Sequence, residues 1–115
     1  MNALPAAFLA AAVVVGGAAA TTSPPKPGNA KNGRKLFIQH DCGSCHMLAA
    51  AGAMSPSGIG PDLDTTKKSY ALIVANITKG GKGMTGYGKT LTTTQIADIA
   101  TFVYKSAHAA AAGGY

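Results

Sequence analysis

Both cysteines of this 115-residue chain fall within one pentapeptide, Cys42-Gly43-Ser44-Cys45-His46. No other feature restricts the fold as much. Beyond its first 20 residues the chain is a body of roughly 95 residues. That makes one small domain, near the lower size at which a core supports itself without disulfides, metal or cofactor. What the two thiols and the adjacent imidazole engage therefore decides what the core is built around. Several catalytic domains or a repeat array are excluded by length alone.

Sixteen of the first 20 residues are hydrophobic, against 47% for the whole chain. Ala3 to Ala20 carries no charge and closes on Gly16-Gly17-Ala18-Ala19-Ala20, the small-residue ending of a secretory signal cleaved near Thr21. No Lys or Arg precedes it, so an uncleaved anchor is the alternative. Half of that stretch is Ala, which favours lipid only weakly. Residues 21–28 (TTSPPKPG) form a Pro-rich linker, because each ring fixes φ and removes a backbone donor. A domain over 29–108 and a frayed tail over 109–115 complete the expected organisation.

Three helices are predicted. Asn29 caps the first, in which Ala30, Gly33, Leu36, Phe37 and His40 recur at helical spacing. Gly33 costs that helix about 1 kcal/mol relative to Ala, which points to another backbone crossing there. Residues 47–68 show no sustained period and are expected to be loop with short helical turns. Ser69 to Thr78 forms the second helix, with Tyr70, Ile73, Val74 and Ile77 on one face and Gly80-Gly81 stopping it. Thr92 and Gln95 make a capping box for the third. Leu91 staples onto Ile96, and Ile99, Ala100, Val103 and Ala107 continue the stripe, with Phe102 at its margin. Nothing alternates with period two, so the body is all-α.

In C-x-x-C-H the two thiols add to the vinyl groups of a haem and the next residue places an imidazole under the iron. Three other readings compete. A structural disulfide would make the spacing and the His accidental. A thioredoxin-like dithiol needs an α/β context. A zinc site needs four ligands, and Cys42, Cys45 and His46 with His40 or His108 match known spacings poorly. Covalent haem c, one per chain through Cys42 and Cys45, is the reading these residues favour.

From Asn29 to Ala107 the sequence resembles the class I c-type cytochromes, small bacterial electron-transfer proteins with one haem. Four elements carry the resemblance in order: Cys42 to His46, Gly60-Pro61-Asp62-Leu63, the Gly-rich loop around Met84, and N- and C-terminal helices that pair. It implies a cytochrome c fold in which those two helices cross while the third helix and the loops wrap the haem. It implies His46 as proximal ligand and Met84 as sixth ligand, with the Pro61 carbonyl accepting the imidazole N–H. In the family the ligand Met is commonly followed by Pro and, two residues later, an aromatic. Here Thr85 replaces the Pro, and the aromatic is Tyr87. By the same resemblance Gly33 and Phe37 cross the last helix near Ile99 and Phe102. Leu36, Ile59, Leu63, Ile73, Ile77 and Tyr87 would supply apolar wall, so the haem is itself the core and the apoprotein is expected to be largely unfolded. His40 is expected at the surface and His108 in the last turn, either a poorer sixth ligand than Met84.

The formal charge of +6 lies wholly in the body. Lys79, Lys82 and Lys89 flank Met84, and Arg34 and Lys35 precede the motif. They would steer the protein to acidic patches on redox proteins or membrane respiratory complexes. No basic run with interleaved aromatics points to nucleic acid. The expected function is a monomeric one-electron carrier in the periplasm or on the outer face of the cytoplasmic membrane, not an enzyme. It would be held to the membrane only through an uncleaved leader. A fixed subunit of a dehydrogenase or oxidase complex is one alternative. A ligand-binding or peroxidatic haem protein is another, if Met84 is off the iron.

Overall fold

The computed structural model describes residues 25–54 and 59–111, with side chains to residue 109. The leader expected over 1–20 and the end of the tail lie outside the described residues. Helices α1 (Ala30–Gln39), α2 (Tyr70–Lys79) and α3 (Thr93–Ala111) are joined by loops carrying three single 3₁₀ turns, at Cys42–Ser44, Ala49–Ala51 and Leu63–Thr65. The described residues contain two isolated bridges, Leu48 with Ala53 and Gly81 with Met84, and no strand. The architecture is the all-α one expected.

Each helix starts where a side chain can take an orphan amide. The Asn29 side chain accepts from the Asn32 N–H at 2.8 Å, and that of Ser69 accepts from Leu72 at 3.1 Å. At α3 the capping box closes in both directions. Gln95 N–H donates to Thr92 Oγ1 at 3.0 Å, and Thr92 N–H donates to Gln95 Oε1 at 2.9 Å. Leu91 is buried in one cluster with Ile96. Helix α3 runs on through Ala111, past the expected end of the domain at residue 108.

Helices α1 and α3 cross at Gly33. A Cβ there would run into the Asp98 carbonyl and stand 2.9 Å from Phe102 Cβ, so only glycine lets the backbones approach this closely. Beside the crossing, Phe37 and Phe102 meet edge to face, with centroids 5.7 Å apart. Leu36, Ile73, Ile77, Ile96, Ile99, Ala100 and Val103 fill the core around them. Leu48, in the stretch expected to be plain loop, is completely buried.

Residues 25–28, expected as the end of a linker, are bound to the domain. Gly28 N–H donates to Thr101 Oγ1 at 2.7 Å, and the Tyr70 hydroxyl donates to the Lys26 carbonyl at 2.6 Å. Proline rules out a helix here but not a docked extended segment, whose backbone groups are taken by side chains of α2 and α3. Asp98 completes the join. Only 5% exposed, its carboxylate accepts from Asn29 N–H and from the Asn32 side-chain amide, each at 2.7 Å. It also lies at the start of α1, where the helix dipole favours an anion.

Candidate functional site

The cysteine motif follows directly from the end of α1. The His40 N–H closes the helix onto the Leu36 carbonyl at 2.9 Å, and Asp41 turns the chain with a left-handed φ of 59°. The next residues wind into one tight turn: Cys45 N–H and His46 N–H both donate to the Cys42 carbonyl, at 3.2 and 3.0 Å. A Cβ on Gly43 would stand 2.9 Å from Ala53 Cβ, so the first spacer residue must be small. Neither cysteine is in a disulfide. Burial pushes the Cys42 thiol up to about 11, and the neighbouring Asp41 adds to the shift against an opposing backbone hydrogen bond.

His46 is clamped from one side by residues 60–64. Its Nδ1 lies 2.9 Å from the Pro61 carbonyl oxygen, an acceptor, so Nδ1 carries the proton and Nε2 keeps the lone pair. Gly60 N–H donates to the Cys45 carbonyl and Leu63 N–H to that of Met47, both at 2.9 Å. The Asp64 carboxylate accepts from Ala49 N–H at 3.0 Å, and Asp62 accepts from Asp64 N–H at 2.9 Å. A Cβ on Gly60 would stand 2.5 Å from His46 Cε1 and 2.7 Å from Nδ1. The imidazole thus lies flat against backbone that has no room for a side chain. Leu63 is half-buried against the core. Asp64 was not singled out from the sequence, because its partner is a backbone amide fifteen residues away.

Met84 sits half-buried in a loop that is rich in glycine yet tightly held. Gly81 N–H donates to the Met84 carbonyl at 2.9 Å, and Met84 N–H donates back to Gly81 at 3.0 Å. The chain then lies along the end of α2: Tyr87 N–H donates to Ile77 and Gly88 N–H to Thr78, at 2.8 and 3.0 Å. These bonds satisfy helix-terminal carbonyls that otherwise lack partners. A Cβ on Gly86 would stand 2.5 Å from the Lys79 carbonyl oxygen. The glycines therefore permit close packing, and the backbone pairing supplies the hold that a Pro at position 85 would have given.

The Tyr87 ring meets His40 edge to face at 5.9 Å. Burial raises the Tyr87 phenol, and the nearby Cys42, Cys45 and Asp41 raise it further. His40, expected at the open surface, is half-buried in this contact. His108 is exposed and stacks on Tyr104 at 3.9 Å. Ile59, expected in the apolar wall, is 71% exposed. It precedes Gly60, whose N–H donates to the Cys45 carbonyl. Lys79, Lys82 and Lys89 are exposed, as are Arg34 and Lys35, although Arg34 Nε also donates to the Ala50 carbonyl at 2.9 Å.

The donor set suits a covalently attached iron porphyrin: two thiols outside any disulfide, an imidazole with one nitrogen committed, and a half-buried thioether. Residues 28–103 match the protein-family model described as cytochrome c oxidase, cbb3-type, subunit III. Cytochrome c6 of Gloeothece citriformis (strain PCC 7424) is 32% identical over 90 residues, covering 70% of this chain and 74% of that protein. The crystal structure of the c-type cytochrome SorU from Sinorhizobium meliloti aligns with a TM-score of 0.59 at 30% identity, covering 67% of this chain and 88% of that one.

Proposed function

We propose, since this chain belongs to the class I c-type cytochrome family and is a haem c electron carrier, that His46 and Met84 are its axial ligands and that it shuttles single electrons between redox complexes of the cell envelope. When bound, the haem would supply the one-electron chemistry. Cys42 and Cys45 hold the group covalently. The observation that carries the reading is the His46 to Pro61 hydrogen bond, which commits Nδ1 and leaves Nε2 as the ring's only donor atom. On a bound haem that bond would make the imidazole more electron-rich and favour ferric iron. The Met84 thioether would pull the other way, favouring ferrous iron and a higher potential. If His46 and Met84 both hold the iron, no open position would remain for substrate, which supports reading the chain as a carrier rather than a catalyst.

An absorption spectrum of the ferric protein beside that of Met84→Ala tests the ligation. The expected result is an iron-to-thioether charge-transfer band that the variant lacks. Carbon monoxide binding to the reduced wild type at neutral pH would instead support a ligand-binding haem protein.

The exposed Lys79, Lys82 and Lys89 beside Met84 fit docking onto an acidic redox partner. Electron-transfer rates should then fall as salt rises, and rates indifferent to salt would remove the steering idea. Export to the periplasm or the outer face of the cytoplasmic membrane rests on the apolar leader. No described helix is long and apolar enough to cross a membrane. The family model's description, an oxidase subunit, favours a second reading as a fixed subunit. Co-purification at constant stoichiometry would support it, and a freely soluble monomer would count against it.

A further inference from the structure

The Met84 loop meets the segment leading into the cysteine motif through one aromatic pair, His40 with Tyr87, far apart in the chain. We infer that His40 is a positioning residue for Met84: by bracing Tyr87 it holds the loop closed and keeps the thioether in place. This deepens the ligation proposed above and rests on it.

Three observations carry the inference. His40 is the C-cap of α1, so its backbone is fixed by the hydrogen bond to Leu36, and the half-buried ring projects from an anchored position. Tyr87 follows Met84 by three residues and is equally anchored. Its N–H donates to Ile77, and its carbonyl accepts from Thr90 and Leu91 at 3.0 and 2.9 Å. Between these anchors the rings meet at 5.9 Å with planes inclined by 71°, an attractive edge-to-face geometry. Met84 and Tyr87 pack on the core, but between them Thr85 and Gly86 are exposed, and among the described residues the backbone bonds of the loop tie it to α2 and to itself. The His40 contact ties it instead to α1 and so to the segment that leads into the attachment turn.

Imidazole added to the ferric holoprotein binds iron only when Met84 has left, so its apparent affinity reports how often the loop opens. We would titrate wild type, His40→Ala, His40→Phe, Tyr87→Leu and the His40→Ala/Tyr87→Leu double variant, with Met84→Ala as control. His40→Ala should bind imidazole about three- to tenfold more tightly, the range of one aromatic pair. His40→Phe, which keeps a ring edge, should stay close to wild type. In the Tyr87→Leu background the His40 substitution should add nothing. Equal affinities for wild type and His40→Ala, with Met84→Ala much tighter, would overturn the inference and leave Met84 ligation intact. A His40 effect that persists unchanged without Tyr87 would overturn it as well. If Met84→Ala binds imidazole no more tightly than wild type, the ligation itself is wrong, and this inference falls with it. His40 and Tyr87 lie at a helix end and in a surface loop, and near-unchanged circular dichroism of the variants checks that each one folds.

Discussion

The Nδ1 atom of His46 stands 2.9 Å from the carbonyl oxygen of Pro61, and Gly60, the residue before that proline, leaves no space for a Cβ against the same ring. One segment thus sets both the tautomer and the tilt of the imidazole. Gly60→Ala should push the ring off the Pro61 carbonyl. Weakening that bond makes the ligand less electron-rich and should raise the reduction potential by about 20–60 mV, the equivalent of losing roughly one hydrogen bond. Redox titration of the holoprotein checks this, and an unchanged potential would contradict it.

At the helix crossing, Gly33→Ala places a methyl group against the Asp98 carbonyl, which is backbone and cannot rotate away. The two helices must separate, at a cost of at least about 2 kcal/mol. Denaturant unfolding of the holoprotein measures the loss. Gly52→Ala makes a useful contrast, because that glycine has open space around it and only its φ of 77° opposes a side chain.

Asp98→Ala removes the acceptor for two N–H groups near the start of α1 and should cost about 2–4 kcal/mol. Asp98→Asn keeps one acceptor oxygen and should recover part of that. The visible spectrum should stay unchanged in both, since Asp98 supports the helix crossing and not the iron ligands.

Sequence reasoning reached the elements whose causes are local. The Asn29 cap, the Thr92 and Gln95 box and the stop at Gly80 each depend on residues within one turn, and all three are present. Gly33 was also legible, because a helical glycine has a cost that something must explain. What escaped were side chains whose partners are distant backbone amides. Asp98 sits in an otherwise apolar stripe, and its role appears only when Asn29 folds against it. Asp64 bonds to Ala49, and Gly28 belongs to the domain through Thr101. For the Gly-rich loop around Met84, glycine content alone cannot distinguish mobility from a backbone laid closely on a helix end. The pairing of His46 with Pro61 agrees with the family resemblance. The pairing of His40 with Tyr87 had no sequence signal.

In a folded chain without attached haem, burial would push the Cys42 thiol up to about 11, above the ordinary thiol range. Burial of the thiol therefore stabilises the fold fully below that ordinary range, and this contribution is lost as pH rises from there through about 11. The attached protein lacks the effect, because a thioether does not titrate. If the haem is the core, the apoprotein should be largely unfolded and Cys42 should alkylate with an ordinary pH profile. A cooperative, helical apoprotein whose Cys42 titrates near 11 would show that the polypeptide folds without the haem.

As a c-type cytochrome this chain is expected to carry its haem covalently through Cys42 and Cys45, and the helices and loops would enclose it. Mass spectrometry of the mature protein is the decisive experiment. One chain plus one haem is expected, resistant to denaturation and thiol alkylation, with the added mass on the peptide carrying Cys42 to His46. Two alkylatable thiols, or an S–S link between positions 42 and 45, would refute it.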